Sequence, residues 1–492
     1  MKKIAVILAI LGSISCSTVM SQKQYEPTWE SLDTRPIPEW FGGAKFGIFI
    51  HWGPYSVPAW SPKGTYSEWY QYWMQSKSLF GNGDFKGDEV ASYHERTYGK
   101  EFTYYDFGRQ FKADLFNPEE WAELFEKAGA KYIVLTSKHH DGFTLWPNIE
   151  ANDRGFAWNS AEVGSKRDLV GELSAAVKKT NVKMGLYYSL YEWYHPLWQT
   201  DKKRFVDEHF LPQIKDLVTN YSPDVLWADG EWEMTDEEWR SKEFLVWLFN
   251  ESVVKNSIVV NDRWGKGIRK NHGGYFTTEY ESEAPEFDKP WEECRGMGFS
   301  FGYNQNEDAQ DYNSAKALVL MLTNIVSTGG NLLLDIGPDA RGKIPTIMQE
   351  RLLQIGEWLT TNGEAIYNTM PWKSSFQWSG GERNFKPKQH YLGGDFILKQ
   401  TINPEPGYAV KELFLTQSKD AYYVIVPQWP GKEMVITDLS LVIGTKITLL
   451  ATGEQLSWHQ SGEDIIVEMP AYQPNKMKVS DSYAYAFSIA KK

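Results

Sequence analysis

Eight short apolar segments, most of them separated by helical patterns, constrain the fold of this chain more than any other feature. Their composition is typical of buried strands in a parallel sheet. Alternating strands and helices predict such a sheet, and eight strands predict closure into a (β/α)8-like, TIM-type barrel, irregular between strands five and seven where the connections are short. The strands are predicted at residues 44–50, 131–136, 182–189, 225–228, 257–262, 274–280, 298–303 and 331–337.

The pattern of apolar and polar residues changes after residue 368. Short alternating runs separated by turn residues replace the helical patterns and predict an all-β sandwich. We therefore predict a (β/α)8-like catalytic domain over residues 22–368 and a C-terminal β-sandwich domain over residues 369–492.

Charge and aromatic content narrow the class of partner. A formal net charge of −13 argues against nucleic acid and against an anionic membrane surface. The 22 Trp, 27 Tyr and 25 Phe residues make up 15% of the chain, and such rings form platforms for the apolar faces of sugars. The composition therefore favours a carbohydrate ligand.

The N-terminus has the features of an export signal. Two lysines precede an apolar run over residues 4–11, which is too short to span a bilayer. Cys16 stands where bacterial lipoproteins are acylated, although Ser13 replaces the usual Leu. We predict a signal peptide over residues 1–21 and an exported protein, either periplasmic or an outer-membrane lipoprotein of a bacterium. A lipid anchor at Cys16 would attach the protein to a membrane. The alternative is cleavage of the signal peptide without lipidation.

Polar and aromatic residues stand at the ends of the predicted strands, where barrel enzymes place their reacting groups. Asp229 follows the apolar run 225–228 and precedes Gly230, which permits a sharp turn. A carboxylate at the end of a buried strand needs partners or a catalytic task. The alternative is a helix cap near Thr235. The strand ends are His51, His139, His140, Tyr188, Asp229, Arg263, Glu279 and Phe301.

Two of these groups, Asp229 and Glu279, fit the carboxylate pair of a glycosidase. The histidines have an alternative role as ligands of a divalent metal together with Asp229. However, the chain lacks HxH and HExxH spacing, and adjacent residues such as His139 and His140 point in different directions on a strand. We therefore predict no metal and no cofactor. Imidazoles that hydrogen-bond sugar hydroxyls are favoured instead.

At these positions the chain resembles the α-L-fucosidases of glycoside hydrolase family 29. The resemblance covers residues 40–367 in the family's order, with a β-sandwich following. Its motifs are His51-Trp-Gly, Ser67-Glu-Trp, residues 138–143, Trp227-Ala-Asp-Gly, residues 260–264, 300–303, 331–338 and 356–367.

This resemblance implies a retaining exo-hydrolase that removes terminal α-L-fucose from glycans or glycoconjugates through a covalent fucosyl-enzyme. Asp229 matches the family's nucleophile, and Phe301 with its aromatic neighbours would pack on the C6 methyl of fucose. The residues matching the sugar-binding set are His51, Glu68, Trp69, His139, His140, Tyr188, Trp227, Arg263 and Phe301.

The acid/base residue is left with two candidates. Glu279 aligns with the acid/base of the bacterial enzymes at a strand end, whereas Glu292 is the alternative suggested by animal-type relatives. Glu279 is favoured because a glutamate in a loop, as Glu292 is predicted to be, is less easily fixed against the leaving oxygen.

Two other functions use the same site. One is transfer of fucose to an acceptor hydroxyl, and the other is fucose binding without catalysis, which the presence of both carboxylates disfavours. The sequence does not determine the linkage, the aglycone or the oligomeric state.

Overall fold

The structure is a computed structural model that describes residues 24–76, 87–281, 285, 287–383, 385 and 395–491. The predicted export signal and Cys16 lie outside these residues. Within them, no helix combines the length and the apolar character that crossing a bilayer requires.

Eight parallel strands form the first sheet, which confirms the predicted barrel class. In space they follow the order β5-β4-β3-β2-β1-β8-β7-β6. The two ends of this order meet through an isolated parallel bridge between Asn261 and Tyr275 instead of a regular ladder. The strands are β1 (Phe46–Ile50), β2 (Tyr132–Lys138), β3 (Lys183–Ser189), β4 (Val225–Asp229), β5 (Val259–Val260), β6 (Phe276–Glu279), β7 (Trp291–Gly296) and β8 (Asn331–Ile336).

Successive side chains of a barrel strand belong to two different cores, as the two-residue period of a strand requires. Tyr187 of β3 is the register partner of Trp227 of β4, and both pack in the barrel interior with Phe49. Tyr188 and Ala228 are the next register pair and pack outwards in the core that also holds the helices.

Helices surround the barrel and begin where the sequence supplies caps. The side chain of Asn117 accepts a hydrogen bond from the Glu120 amide at 3.3 Å, with Pro118 as the first helical residue. A π-helical turn, Phe205–Phe210, joins α9 to α10. The α-helices are α1 (Trp29–Leu32), α2 (Glu39–Ala44), α3 (Tyr70–Ser76), α4 (Gly87–Tyr98), α5 (Tyr104–Gln110), α6 (Pro118–Lys127), α7 (Leu169–Val177), α8 (Pro196–Thr200), α9 (Lys202–Arg204), α10 (Leu211–Tyr221), α11 (Ser241–Asn250), α12 (Ala315–Ser327), α13 (Thr346–Asn362) and α14 (Asp395–Lys399).

The C-terminal part is built from antiparallel strands, as predicted. They form sheets of order β14-β13-β17-β11-β10-β9 and β12-β16-β15 around an aliphatic core. Trp358 of α13 donates its indole N–H to the carbonyl of Ala484 at 2.9 Å and so ties this part to the barrel. The strands are β9 (Met370–Trp378), β10 (Lys411–Gln417), β11 (Ala421–Val426), β12 (Glu433–Ile436), β13 (Ile447–Leu449), β14 (Glu454–Leu456), β15 (Trp458–Ser461), β16 (Asp464–Glu468) and β17 (Tyr485–Ala490).

The seventh barrel strand is not where the sequence predicted it. We predicted residues 298–303, but β7 is Trp291–Gly296, so Phe301 lies in the loop that follows and Glu292 lies on a strand. The charged residues of this segment made it resemble a loop. They can lie on a buried strand because they are paired inside the protein. Arg295 contacts Glu293 at 2.7 Å, and the carboxylate of Glu293 also accepts a hydrogen bond from Thr278.

Candidate active site

A cavity opens at the carboxyl ends of the barrel strands and brings together most of the predicted site residues. Those that line it are His51, Glu68, Trp69, His139, His140, Trp227, Asp229, Arg263, Glu279 and Phe301. The sequence interpretation missed five further lining residues, namely Phe49, Tyr66, Tyr187, Trp232 and Cys294.

Asp229 ends β4 and is held from both sides of its carboxylate. Its Oδ1 accepts a hydrogen bond from Arg263 Nη1 at 2.7 Å, and its Oδ2 accepts one from the Tyr187 hydroxyl at 3.0 Å. Burial alone would raise the pKa of this carboxyl. The charges of Arg263 and Arg269, together with that of His140 at the low pH where its ring is protonated, outweigh burial, and the pKa is lowered to about 2. Asp229 is therefore an ionised carboxylate at the wall of the cavity.

Arg263 connects Asp229 with the second carboxylate. Its Nη2 lies 3.4 Å from Oε2 of Glu279, and its Nε donates to the Thr277 hydroxyl at 3.0 Å. The guanidinium carbon lies 4.3 Å from the centre of the Trp227 ring. Glu279 ends β6 and its side chain is 32% exposed. One fixed cation thus contacts both carboxylates, while Glu279 remains open to solvent.

The hydrogen-bond network defines the tautomer of His140. The Ser189 hydroxyl donates to the carbonyl of Tyr191 at 2.7 Å, so its oxygen accepts from His140 Nδ1 at 2.6 Å. Burial lowers the pKa of His140 to about 4, and the ring is neutral near pH 7. Its Nε2, 3.6 Å from Asp229 Oδ2, is then an acceptor for a ligand hydroxyl beside Asp229.

The other two predicted histidines are also neutral. His51 Nδ1 lies 2.6 Å from Oδ1 of Asp335 in β8, and burial lowers the pKa of His51 to about 3. Its ring stacks on Phe301, with centroids 5.0 Å apart. Burial also lowers the pKa of His139, whose Nδ1 has no hydrogen-bond partner among the described residues. Both rings can serve ligand hydroxyls as donors or acceptors.

Glu68 hydrogen-bonds a loop of the protein through one of its two carboxyl oxygens. Its Oε2 accepts from the Gly302 amide at 2.8 Å and from the Ser300 hydroxyl at 3.2 Å. Oε1 is buried and has no hydrogen-bond partner within the part of the chain that the structure describes. Burial raises the pKa of Glu68 to about 7. This oxygen keeps its capacity for a further hydrogen bond.

Tyr188 was predicted to hold the ligand, but the structure does not bring its side chain to the cavity. Its hydroxyl donates to Gln213 Oε1 at 2.8 Å, on the outer face of the strand. The neighbouring Tyr187 lines the cavity in its place. The period of the strand could have identified it, because residues paired with Trp227 and Asp229 share the interior face.

Glu292, the alternative acid/base, lies on the interior face of β7 and is 1% exposed. Its carboxyl oxygens face the Tyr132 hydroxyl at 2.5 Å, the Trp227 indole N–H at 2.8 Å and the Tyr275 hydroxyl at 3.2 Å. Burial raises its pKa to about 7. It is not among the residues that line the cavity.

Asp153, His195 and His209 form a group with ligand-like spacing away from this cavity. Each ring nitrogen of this group already has a hydrogen-bond partner. His195 Nδ1 accepts from the Leu197 amide at 3.1 Å, so its Nε2 carries the proton that faces Asp153 at 2.7 Å. Both ring nitrogens of His209 face carboxylates, Asp153 at 2.9 Å and Glu192 at 2.6 Å. The group is a hydrogen-bond network of two buried histidines and the exposed Asp153, beside Lys138, which pairs with Glu192.

The open end of the eight-stranded barrel holds two carboxylates among aromatic and imidazole groups. This arrangement is typical of a glycoside hydrolase. Sequence models of the α-L-fucosidase domain and of the α-L-fucosidase C-terminal domain match residues 13–364 and 408–490. The chain belongs to the α-L-fucosidase family and is a glycoside hydrolase with α-L-fucosidase function.

Relatives of this family match along nearly the whole chain. The human tissue α-L-fucosidase is 40% identical, with 95% of this chain and 93% of that protein covered. The tissue α-L-fucosidase of Rattus norvegicus is 39% identical, with 97% and 95% covered. The crystal structure of the Thermotoga maritima α-fucosidase with fucose superposes with a TM-score of 0.75 at 34% identity, covering 95% of this chain and 100% of that one.

The mammalian relatives correct the predicted location. The sequence interpretation placed the chain in a bacterium as a periplasmic protein or an outer-membrane lipoprotein anchored at Cys16. The mammalian tissue and plasma enzymes contradict that prediction, and they point to an enzyme of the eukaryotic type. The export pattern in the sequence predicts translocation only, and it carries no information about the organism.

Proposed function

We propose that this chain is a retaining exo-α-L-fucosidase that hydrolyses terminal α-L-fucosyl residues of glycans or glycoconjugates through a covalent fucosyl-enzyme. The observation that carries the proposal is the state of Asp229. It is buried, ionised and fixed by Arg263 and Tyr187, yet it forms part of the cavity wall. A carboxylate in that condition is prepared to act as a nucleophile.

In the first step, an oxygen of Asp229 forms a bond to the anomeric carbon while the bond to the aglycone oxygen breaks. The electron pair of that bond goes to the leaving oxygen, which takes a proton from Glu279. The exposure of Glu279 suits this task because the acid must reach an aglycone that extends out of the cavity.

In the second step, Glu279 removes a proton from water as the water oxygen bonds to the anomeric carbon. The electron pair of the ester bond returns to Asp229 as a carboxylate. The Thermotoga maritima α-fucosidase has been solved with a mechanism-based inhibitor, and its similarity to this chain supports a covalent route here.

The walls of the cavity supply two kinds of contact for fucose. Polar contacts to hydroxyls come from Glu68 Oε1 and from the imidazoles of His51, His139 and His140. Apolar contacts come from Phe301, which stacks with Tyr66 at 5.6 Å between centroids and would pack on the C6 methyl. Trp69 and Trp232 form stacked rings in the cavity lining, 6.0 Å apart, beside the sugar site.

The covalent intermediate is tested with a 2-deoxy-2-fluoro-L-fucosyl fluoride, whose fluorine slows hydrolysis of the ester. We expect inactivation and a mass increase on the peptide that contains Asp229. In parallel, NMR of a reacting aryl α-L-fucoside should show α-L-fucose as the first product. Label on another residue, or β-L-fucose as the first product, would refute the proposed mechanism.

Substrate range is tested by comparing a simple aryl α-L-fucoside with branched fucosylated glycans. We expect the aryl substrate to be cleaved readily, because the contacts described above serve the fucose ring and not a particular aglycone. Glycans cleaved while the aryl fucoside resists would show instead that binding of the aglycone is required for catalysis.

A further inference from the structure

A second arginine, Arg269, contacts the carboxylate of Asp229 and joins it to another carboxylate. Its Nη2 lies 3.4 Å from Asp229 Oδ1 and 3.2 Å from Oε2 of Glu231, and its Nε contacts Glu231 Oε1. Glu231 follows Asp229 by two residues and is 2% exposed. A buried glutamate that shares one guanidinium with the nucleophile has no role in the reaction steps described above.

The loop that carries Arg269 is fixed by its own contacts. The Lys270 amide donates to Asp262 Oδ2 at 2.8 Å, and Ile268 is buried. On the other side, Gly230 has a φ of +75°, which allows the turn that places Glu231 beside Asp229. The Trp239 indole N–H donates to the carbonyl of Glu231 at 3.2 Å. Both partners of the pair are therefore held in place.

The groups that face Asp229 separate into charged and neutral ones. Burial lowers the pKa of His140 and of His51, and burial raises the pKa of Tyr187, so these three are neutral near pH 7. The permanent cations are Arg263 and Arg269, and the other carboxylates nearby are Glu231 and Glu279. Arg269 brings Asp229 a positive charge that Glu231 largely compensates.

We propose that Arg269 and Glu231 form a charge-balancing pair that sets how well Asp229 attacks and how well it leaves. This inference rests on the proposed function, because it assigns Asp229 both tasks. Arg269 stabilises the carboxylate that departs in the second step, and Glu231 keeps that carboxylate basic enough to attack in the first. Both are positioning residues, since neither lines the cavity.

The pair predicts opposite effects for its two members. In Arg269→Gln, Asp229 loses a cation, so it becomes a better nucleophile and a poorer leaving group. In Glu231→Gln, the charge of Arg269 is no longer compensated, so Asp229 becomes a poorer nucleophile and a better leaving group. A role limited to structure would change both steps in the same direction in both variants.

The experiment uses the full chain and the 2-deoxy-2-fluoro-L-fucosyl fluoride, with inactivation and reactivation rates measured separately. We expect Arg269→Gln to slow reactivation about three- to tenfold, with inactivation equal or faster, for a change of about one pKa unit at Asp229. Glu231→Gln should slow inactivation and speed reactivation. The double variant should return towards wild type, and the acid limb of kcat/KM should move up in pH for Arg269→Gln and down for Glu231→Gln.

Two further variants keep the test decisive. Arg269→Lys retains the charge but not the planar fork that bridges the two carboxylates, so it should reactivate faster than Arg269→Gln, even if Glu231→Gln does not fold. Arg204→Gln removes an arginine from an exposed ion pair with Glu208 and should match wild type in both rates. The inference is overturned if Arg269→Gln behaves like Arg204→Gln, or if both single variants lose both rates together. A wild-type label on a residue other than Asp229 would instead overturn the proposed function itself.

Discussion

Asp229 at the strand ends and Glu292 in the barrel interior are both buried carboxyl groups, yet they have opposite surroundings. Asp229 contacts two arginines, and its pKa is lowered to about 2. Glu292 faces the hydroxyls of two tyrosines and one indole N–H, and burial raises its pKa to about 7. The identity of the partners, more than the depth of burial, decides which carboxyl group is ionised.

Trp227 stands between these two regions. Its indole N–H donates to Glu292 in the barrel interior, and its ring faces the guanidinium of Arg263 on the side of the cavity. Glu292 therefore orients the ring on which the arginine of the active site rests. We therefore expect the cationic region to carry out the reaction and the neutral region to support it, and five substitutions test that division.

The largest effect is expected for Asp229→Ala. Without the proposed nucleophile, the rate should fall on the order of 10³-fold or more, while the fold remains. Added azide should restore turnover and give β-fucosyl azide, because the small anion occupies the space of the carboxylate. Turnover is followed with an aryl fucoside. Substantial activity without azide would show that another group attacks the sugar.

The second largest effect is expected for Glu279→Gln. Its rate on natural fucosides should fall about 100-fold, because their alkoxide cannot leave unprotonated. An aryl fucoside with a phenolate leaving group should be spared in the first step. Because the second step still needs a base, stopped-flow traces should show a burst followed by slow turnover.

Glu292→Gln is the matched control for that experiment, since it makes the same chemical change in the neutral region. We expect turnover close to wild type and no burst. If Glu292→Gln instead shows the loss that depends on the leaving group, while Glu279→Gln resembles wild type, the acid/base is Glu292.

Glu292→Gln should also change the pH dependence of stability. The pKa of Glu292 is raised from 4.5 to about 7 in the folded protein, so between these values the folded state holds a proton that the unfolded state releases. Its contribution to stability is complete below pH 4.5 and falls by about 3 kcal/mol as the pH rises through 7. The variant should lack this fall, measured as the free energy of unfolding in urea across that window. Wild type and variant with identical pH profiles would show that Glu292 is ionised throughout.

The smallest effect is expected for Tyr187→Phe, with Tyr188→Phe as its neighbour and control. Tyr187→Phe removes the hydroxyl that donates to Asp229 Oδ2, and kcat/KM should fall about tenfold. Tyr188→Phe removes a hydroxyl bonded to Gln213, so activity should be kept while stability falls by about 1 kcal/mol. Equal activities of the two variants would contradict the interior placement of Tyr187.

The barrel and most of its site could be predicted because apolar strands end in conspicuous residues. Asp229 is recognisable because a charge directly follows an apolar run and a glycine follows the charge. The position of β7 could not be predicted in this way. Its Glu293 and Arg295 give it the composition of a loop, and only their mutual pairing inside the protein allows it to be a strand.

For the remaining site residues, the direction of the side chain, and not the position in the sequence, decides whether the residue reaches the cavity. Tyr187 and Tyr188 are equivalent in composition, and only the pairing of β3 with β4 decides which of them faces the cavity. Arg269 lies on a loop with no periodic pattern, so nothing in the sequence predicted its contact with Asp229. Its placement follows from the Asp262 anchor and the turn at Gly230, which are tertiary features.

The isolated bridge that closes the barrel affects how the two carboxylates proposed as nucleophile and acid/base can diverge in evolution. Strand β4, which carries Asp229, has regular ladders with both β3 and β5. Strand β6, which carries Glu279, has a regular ladder with β7 and meets the β5 side at the bridge between Asn261 and Tyr275. Insertions or deletions beside β6 therefore disturb fewer backbone hydrogen bonds than the same changes beside β4. Under the proposed mechanism, mutational drift can move the proton donor to suit a new aglycone while the proposed nucleophile keeps its position at the end of β4.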